Sequence, residues 1–297
     1  MLVVVLPEHH GIRLDQVLFH VIPEISRTFF QKLIDDGKVF VSGRIQKKGY
    51  KVVLGEEISF EIPKPEPLHL TPESIPLSIL YEDDLFIVVN KQPGLVVHPG
   101  AGNRTGTFVN ALLHHLGSID HDDPIRQGIV HRLDKDTSGV LIAAKNSFVH
   151  AHLSHQFAAR TVEKHYLALV SGVVNAPSTV DSPIGRDPKN RLKMAVIETG
   201  RPALSIITPV KYSKTHSLID VQLVTGRTHQ IRVHLKHIGH PIVGDVLYGG
   251  HKVLCDRQML HCRTMTISHP RTDVRMVFEA PLFPDMEQLC EQLYSAS

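Results

Sequence analysis

The sequence is poor in several features that mark particular classes of protein. Its 297 residues include only three cysteines, an odd count that argues against a disulfide framework and fits a reducing compartment. No CxxC pair occurs, so Cys255, Cys262 and Cys290 are expected to be structural thiols and no metal site is expected. No apolar run approaches the roughly 18 residues of a membrane-spanning helix, and no basic leader precedes the apolar N-terminus. A cytoplasmic protein is therefore expected.

A strong excess of one charge is also missing. The net charge is +2 and the pI is about 8.4, so the charge of the whole chain does not indicate a class of partner. The distribution of charged residues along the chain is more informative. The 21 histidines add positive charge only below about pH 6.5. A content of 42% hydrophobic and 21% charged residues is typical of a folded globular chain, and the length favours one large and one small domain.

Residues 11–62 are predicted to form the small domain, with two short helices followed by short strands. Ser26 is a candidate N-cap, the apolar residues after it recur at helical spacing, and Gly37 is placed to end that helix. Residues 63–76 contain five prolines, which remove backbone donors and restrict their neighbours. This stretch is predicted to be a linker.

The remainder, residues 77–297, is predicted to be one larger domain. Strands and helices follow one another without a regular βαβ alternation, which favours an α+β fold with a mainly antiparallel sheet. Strands are predicted at 85–89, 139–144, 167–170 and 218–224, and helices at 107–115, 146–159 and 228–238.

A basic cluster lies within the small domain. Between Ser26 and Lys51 there are seven basic residues and only two acidic ones. The basic residues are Arg27, Lys32, Lys38, Arg44, Lys47, Lys48 and Lys51. Such a cluster can bind phosphates of a nucleic acid, and it can equally be a solvated surface.

The pattern of the same region favours the first alternative. The strings RLD at residues 13–15, SR at 26–27 and GKVFVSG at 37–43 resemble the S4 RNA-binding domain. That resemblance implies a small unit that docks on structured RNA, with Arg27, Lys32, Lys38, Arg44, Lys47 and Lys48 as candidate RNA contacts.

The string HRLDKDTSG at residues 131–139 carries the most information. A charged loop between strands is one explanation, because Asp and Gly shape turns. A calcium-binding loop is excluded, since Lys145 stands where a bidentate Glu is required. Ser138 lacks the G-x-S-x-G context of a nucleophilic serine.

The whole string resembles the HRLDxxTSG signature of the RluA/RluD family of pseudouridine synthases. The resemblance implies that Asp134 is the essential carboxylate, that no cofactor is needed, and that RNA is the substrate. Arg132, from the same string, is a further candidate RNA contact. A carboxylate beside ribose C1′ can act as a nucleophile or as a base, and both routes stay open.

Two further strings fit the same family. In KHYLALV at residues 164–170, Tyr166 matches the tyrosine that packs on the target base. In GRTHQIR at residues 226–232, the resemblance assigns the arginine that pairs with the catalytic aspartate to Arg227, whereas Arg232 is expected to serve structure or phosphate binding.

The resemblance extends over nearly the whole chain and implies an enzyme of the RluD-like branch acting on large-subunit ribosomal RNA. The sequence does not fix the oligomeric state, and a monomer is the simplest expectation. A non-catalytic RNA-binding factor is the main alternative, and the presence of Asp134, Tyr166 and Arg227 together argues for the enzyme. Zinc-dependent deamination would need an H-x-E and P-C-x-x-C signature, which the sequence lacks. Methyl transfer from a nucleotide cofactor would need a Gly-rich strand-to-helix turn, and the sequence offers no convincing one.

Overall fold

A computed structural model describes residues 1–23, 25–62, 70–100, 103–117, 127–251 and 254–294 of the chain. Its contacts divide the chain into two compact units, residues 1–67 and 68–297. Each unit has a hydrophobic core of its own. Within the described ranges, no helix is both long and apolar enough to cross a membrane.

The first unit combines two helices with a four-stranded sheet. Its elements are β1 (Leu2–Val4), a short 3-10 helix (Pro7–His9), α1 (Leu14–Val21), α2 (Arg27–Asp35), β2 (Val39–Val41), β3 (Arg44–Ile45) and β4 (Glu57–Phe60). The strands lie in the order β1-β4-β2-β3 and are all antiparallel. The Ser26 hydroxyl accepts a hydrogen bond from Phe29 N at 3.3 Å, and Gly37 follows α2 with a positive φ of 69°. The sequence prediction for this helix is therefore confirmed.

A buried carboxylate joins the two helices of the first unit. The Asp15 side chain is 0% exposed and accepts hydrogen bonds from Arg13 at 3.0 Å, Arg27 at 2.9 Å and Gln31 at 2.6 Å. Burial raises the pKa of Asp15, but the hydrogen bonds from these three side chains outweigh that effect and lower it to about 2. The ionised carboxylate therefore stabilises the fold at neutral pH.

We expect Asp15→Asn to destabilise the first unit by roughly 2–3 kcal/mol at pH 7, because the amide loses the charge that both arginines bind. A carboxyl group with a lowered pKa stabilises the fold above its unfolded-state pKa near 4, and this stabilisation is lost as the pH falls toward 2. The difference between wild type and Asp15→Asn should therefore shrink in acid. Hydrogen exchange of the α1 and α2 amides in the full chain, at pH 7 and near pH 3, measures this difference.

Asp36→Asn provides the matched control, because Asp36 is exposed in the same unit. It should leave exchange unchanged at both pH values. An Asp15→Asn effect of the same size at neutral and acid pH would contradict the assignment of the stabilisation to the ionised carboxylate.

The second unit is built on a nine-stranded sheet flanked by helices. Its strands are β5 (Ile79–Glu82), β6 (Phe86–Lys91), β7 (Ser138–Ala144), β8 (Glu163–Ser171), β9 (Ser178–Asp181), β10 (Ile184–Arg186), β11 (Met194–Val196), β12 (Leu204–Tyr212), β13 (His216–Leu223), β14 (Leu260–Ser268) and β15 (Arg275–Glu279). Its helices are α3 (Phe108–Leu116), α4 (Ser147–Ala159), α5 (Gln230–His237) and α6 (Pro284–Tyr294), with a short 3-10 helix at Val246–Tyr248.

The large sheet has the order β5-β6-β7-β14-β8-β13-β12-β9, with β15 paired to the second half of β14. The contact of β7 with β14 is parallel, and the other pairs of this sheet are antiparallel. β10 and β11 form a separate two-stranded sheet. The expected α+β fold with a mainly antiparallel sheet is therefore confirmed.

Local sequence signals account for the helices of this unit. The Thr107 hydroxyl and the Asn110 side chain form a reciprocal capping box at the start of α3. The Asn146 side chain accepts from Val149 N at 2.9 Å and caps α4. These two helices lie where the sequence predicts them, within one residue at each end.

A close approach of two backbones fixes the centre of the sheet. Gly139 has a φ of 110°, and a Cβ atom on it would lie 2.2 Å from the Cys262 carbonyl oxygen. Only glycine fits there, so the chain leaving the 131–139 string can run directly beside β14. The end of the string is thereby paired with β14, and β8 and β13 are the next two strands of the sheet.

The predicted linker is described in part. Residues 63–69 lie outside the described residues. Residues 70–76 pack on the second unit: Leu70 and Ile75 contact its core, and Asn110 Nδ2 donates to the Thr71 carbonyl at 2.8 Å. This half of the proline-rich stretch therefore belongs to the second unit, because a polar side chain at the start of α3 holds its backbone.

Candidate active site

Two cationic side chains bind main-chain carbonyl groups of the loop that carries Asp134. Thr137 N donates to the Asp134 carbonyl at 3.1 Å and closes a turn just before β7. One Arg257 Nη donates to the Asp136 carbonyl at 3.2 Å, while the rest of that guanidinium binds the Asp285 carboxylate at 2.6 and 2.8 Å. The loop that presents Asp134 is thus tied to the start of α6.

The second cation is Lys91, at the end of β6. Its buried ammonium donates to three main-chain carbonyl oxygens at 2.9–3.0 Å. They belong to Gln92, Leu95 and Lys135. Burial lowers the pKa of Lys91 to about 7, and the charges of Asp136 and Asp134 oppose that shift. Three carbonyl acceptors match the three donors of an ammonium group, so this geometry favours the charged form.

Asp134 pairs with Arg232. An Arg232 Nη donates to the Asp134 carboxylate at 2.9 Å, while Nε and the other Nη bind both oxygens of Asp245 at 2.7 and 2.9 Å. The guanidinium also lies over the Tyr248 ring, 5.0 Å from its centroid. Burial lowers the pKa of Arg232, but Asp245 and Asp134 outweigh it and raise the value above the ordinary one. Asp245 therefore fixes the charged guanidinium in place, and its remaining Nη orients the Asp134 carboxylate.

The expectation that Arg227 pairs with Asp134 is wrong. Arg227 lies in the turn before α5, where its Nε donates to the Pro202 carbonyl at 3.1 Å. Arg232 lies inside α5, with its side chain only 8% exposed and directed at Asp134. The first six residues of α5 are all buried, and Arg232 is among them. Arg227 still lines the cavity above Asp134.

Tyr166 lies in the middle of β8, between β13 and β14. It is opposite Val221 on one side and Cys262 on the other, and it is 6% exposed. Burial raises the pKa of Tyr166 well above its usual value, with interactions of Cys262 and Asp134 in the same direction, so the phenol stays protonated. Its remaining surface lines the cavity that Asp134 also lines.

Sequence reasoning missed His229 as a neighbour of the carboxylate. Its Nε2 lies 3.9 Å from the Asp134 carboxylate, and its Nδ1 is 2.8 Å from the Tyr248 hydroxyl. That hydroxyl already accepts from Met194 N at 2.8 Å, so its proton is free for Nδ1, which leaves an Nε2–H directed toward Asp134. Burial lowers the pKa of His229, against the effect of Asp134, so the ring is neutral at neutral pH. The sequence feature that could have indicated a role for His229 is its position inside the GRTHQIR string.

These side chains surround a cavity of about 130 Å³. Asp134, Tyr166, Arg227 and His229 contribute to its wall, and Leu223 and Leu260 supply apolar surface. A flat ring can contact the apolar wall while its polar edge faces the charged side. The arrangement suits chemistry at a planar base held beside a carboxylate.

The structure also locates the other candidate RNA contacts. Arg132 is exposed at the mouth of the same cavity. In the first unit, Lys32, Lys38, Arg44 and Lys47 are exposed. Arg27 binds the buried Asp15, and Lys48 binds Asp35 at 2.9 Å, so these two charges are partly neutralised within the unit.

The three cysteines are free thiols. Burial raises the pKa of Cys262 to about 12 and that of Cys290 to about 11, so both stay protonated at neutral pH. Among the described residues, no group of three or more His, Cys, Asp or Glu side chains is arranged to hold a metal ion.

Two family descriptions match this chain. The RNA pseudouridylate synthase family matches residues 85–237, and the S4 domain matches residues 12–58. The fold, the Asp134 site and these matches agree, and the chain belongs to the RNA pseudouridine synthase family, whose members are isomerases that act on RNA. Its first unit contains an S4 domain.

Individual proteins show the same relationship. An uncharacterized RNA pseudouridine synthase, YlyB of Bacillus subtilis, is 42% identical over 96% of this chain and 95% of its own length. Ribosomal large subunit pseudouridine synthase D of Escherichia coli (strain K12) is 40% identical over 95% of this chain and 90% of its own. The structure of human RNA pseudouridylate synthase domain containing 1 is 27% identical with a TM-score of 0.60, covering 76% of this chain and 90% of the human one.

Proposed function

We propose that this enzyme converts specific uridines of large-subunit ribosomal RNA to pseudouridine, with Asp134 as the catalytic carboxylate. The main support is the Asp134 carboxylate itself, fixed by Arg232 in a cavity that Tyr166 also lines. The proposed RNA substrate is supported by the relatives named ribosomal large subunit pseudouridine synthase D. The match to the Escherichia coli protein covers 90% of that protein's length.

The reaction requires that the target nucleotide leave the RNA stack, because ribose C1′ and uracil N1 are not accessible within a helix. The N1–C1′ bond then breaks, the base turns, and C5 bonds to C1′. C5 loses its proton and N1 gains one, so the product is an isomer of the substrate. Asp134 acts beside C1′, either as the nucleophile of a ribosyl ester or as the base that removes a sugar proton.

The other residues would support that step. Tyr166 packs against the base, and Arg132 and Arg227 at the cavity mouth contact the RNA. Arg232 orients Asp134, a role that the sequence analysis assigned to Arg227. All these groups belong to the protein, so the reaction as proposed needs no nucleotide cofactor.

The S4 domain would hold folded RNA by its backbone. Its exposed Lys32, Lys38, Arg44 and Lys47 provide the charge for phosphate contacts, with Arg27 and Lys48 as the remaining candidates. We propose a small domain at 11–62 and a catalytic domain at 77–297, with residues 63–76 between them, of which residues 70–76 pack on the catalytic domain. We also propose that the protein is a monomer and acts in the cytoplasm, where free thiols persist.

The direct test is to incubate the purified protein with unmodified large-subunit ribosomal RNA, without added cofactor or metal, and to map pseudouridine by chemical labelling. Pseudouridine at one or a few positions would support the proposal and identify the target uridines. Product on transfer RNA and none on ribosomal RNA, free or in assembling particles, would overturn the proposed substrate.

We expect Tyr166→Phe to retain most of the activity and Tyr166→Leu to lose about tenfold or more, because stacking on the base needs the ring rather than the hydroxyl. The measurement is the single-turnover rate at saturating enzyme, with thermal unfolding of each variant as the control for folding. A Tyr166→Phe loss as large as that of Tyr166→Leu would assign the role to the hydroxyl instead.

A further inference from the structure

A second, larger cavity adjoins the one above Asp134. Its volume is about 370 Å³, and it shares Arg132, Tyr166, Leu223, Gly226 and Arg227 with the first. The two cavities are therefore neighbours along one wall. A nucleotide chain that enters the first cavity can continue along this wall into the second.

The second cavity is lined by cations without acidic residues. Arg132, Arg160, Lys164 and Arg227 contribute to its wall, and no Asp or Glu is among the lining residues in the described part of the chain. Within the described residues, the Arg227 side chain donates one hydrogen bond, to a main-chain carbonyl. A concentration of positive charge in a concave, partly apolar space suits the binding of an anion.

Lys164 is the most informative member of this group. The residue is only 8% exposed, and its Nζ lies 5.9 Å from the centroid of the Phe157 ring. Burial lowers the pKa of Lys164; the Cys262 sulfur opposes this shift, and Arg160 adds to it. A lysine whose side chain is largely buried keeps its charge at a cost in free energy when no anion is near, and an anion that enters the cavity would lower that cost.

Other buried cations of the second unit are differently placed. Arg232 binds Asp245 and Asp134, Arg257 binds Asp285, and Lys91 donates to three carbonyl oxygens. Within the described ranges, the Lys164 ammonium has neither a carboxylate nor a carbonyl within hydrogen-bonding distance. Unlike those three cations, Lys164 can bind an anion that enters the cavity without giving up a contact to a carboxylate or a carbonyl.

We propose that this second cavity binds a phosphodiester group that flanks the target uridine, with Lys164 and Arg160 as its principal contacts. The inference rests on the proposed function, since the shared wall is what places a flanking phosphate there. Arg132 and Arg227 stand at the boundary, where they can contact the backbone between the two cavities. The site contributes to RNA binding and to the position of the nucleotide, not to bond breaking.

Two substitutions test this site: Lys164→Met, which keeps most of the length of the unbranched side chain without its charge, and Arg160→Gln at an exposed position. Lys214→Met, at an exposed lysine of the same unit, is the matched control. For each protein, binding of large-subunit ribosomal RNA is measured over a range of salt concentrations, together with the single-turnover rate at saturating enzyme and thermal unfolding. Arg160→Gln keeps the test valid should Lys164→Met fold poorly.

We expect each substitution at the site to weaken RNA binding about tenfold at low salt. The slope of log affinity against log salt should fall by about 0.7 to 0.9 for each lost phosphate contact. The saturated rate should fall by less than the affinity does, because the site does not take part in bond breaking, and Lys164→Met should unfold at the same temperature or higher. Unchanged affinity and slope for both variants would overturn the site, as would a lower unfolding temperature of Lys164→Met with normal binding.

The failure of this inference is distinguishable from failure of the proposed function. If the wild-type protein forms no pseudouridine on ribosomal RNA, the proposed substrate fails whatever the variants do. If the wild type forms product and the two variants bind RNA as it does, only the phosphate site fails.

Discussion

Asp134→Asn is expected to abolish pseudouridine formation, with a loss of at least about 10³-fold, and to leave RNA binding intact. An amide is neither a nucleophile toward C1′ nor a base for a sugar proton. The substitution therefore blocks both of the routes that are possible for the carboxylate. The amide oxygen can still accept from Arg232, and Arg232 keeps both hydrogen bonds to Asp245, so the loop should hold its shape. Single-turnover assays with mapped product measure the loss.

Asp136→Asn is the matched control, because it makes the same change two residues along the same loop. The contact of residue 136 that fixes the loop is made by its main-chain carbonyl, which the substitution keeps. Asp136→Asn should therefore bind RNA and form product nearly as the wild type does. Substantial product from Asp134→Asn, at the same uridines, would remove Asp134 from the catalytic role.

Several parts of this fold could be predicted from the sequence because their signals are local. A capping side chain, an apolar stripe at helical spacing and a glycine at the end define α2 within about ten residues. The α3 and α4 helices have the same kind of signal in Thr107 and Asn146. The 131–139 string is a continuous motif, so the sequence alone is enough to make Asp134 a candidate.

The contacts around Asp134 could not be predicted in the same way, since they join distant parts of the chain. Arg232 is 98 residues from Asp134, and Arg257 is 121 residues from the carbonyl that it binds. The choice between Arg227 and Arg232 is of the same kind. Both lie in one string of seven residues, and the string alone does not show which of the two reaches Asp134 in the folded chain.

Arg232→Lys is expected to lower the saturated rate about 10²-fold. A lysine keeps the charge but lacks the planar fork that binds Asp245 with two nitrogens and Asp134 with the third. The ammonium can bind one carboxylate well, and the deeply buried Asp245, 1% exposed, is the stronger competitor. Asp134 then loses its fixed orientation beside C1′. The free energy of unfolding should also fall, by roughly 2–3 kcal/mol, because Asp245 keeps fewer hydrogen bonds.

Arg227→Lys, the same substitution at the arginine before α5, distinguishes the loss of the contact with Asp134 from a general effect of replacing an arginine in the cavity wall. Arg227→Lys keeps a cation at the cavity mouth and gives up one hydrogen bond to a main-chain carbonyl, so its saturated rate should change little. Asp245→Asn serves as the control for stability, since it weakens the same buried pair and leaves the contact of Arg232 with Asp134 in place. All three variants are assayed where urea unfolding shows them fully folded. A larger rate loss for Arg227→Lys than for Arg232→Lys would return the pairing role to Arg227 in the RNA complex, which would require the turn before α5 to move when RNA binds.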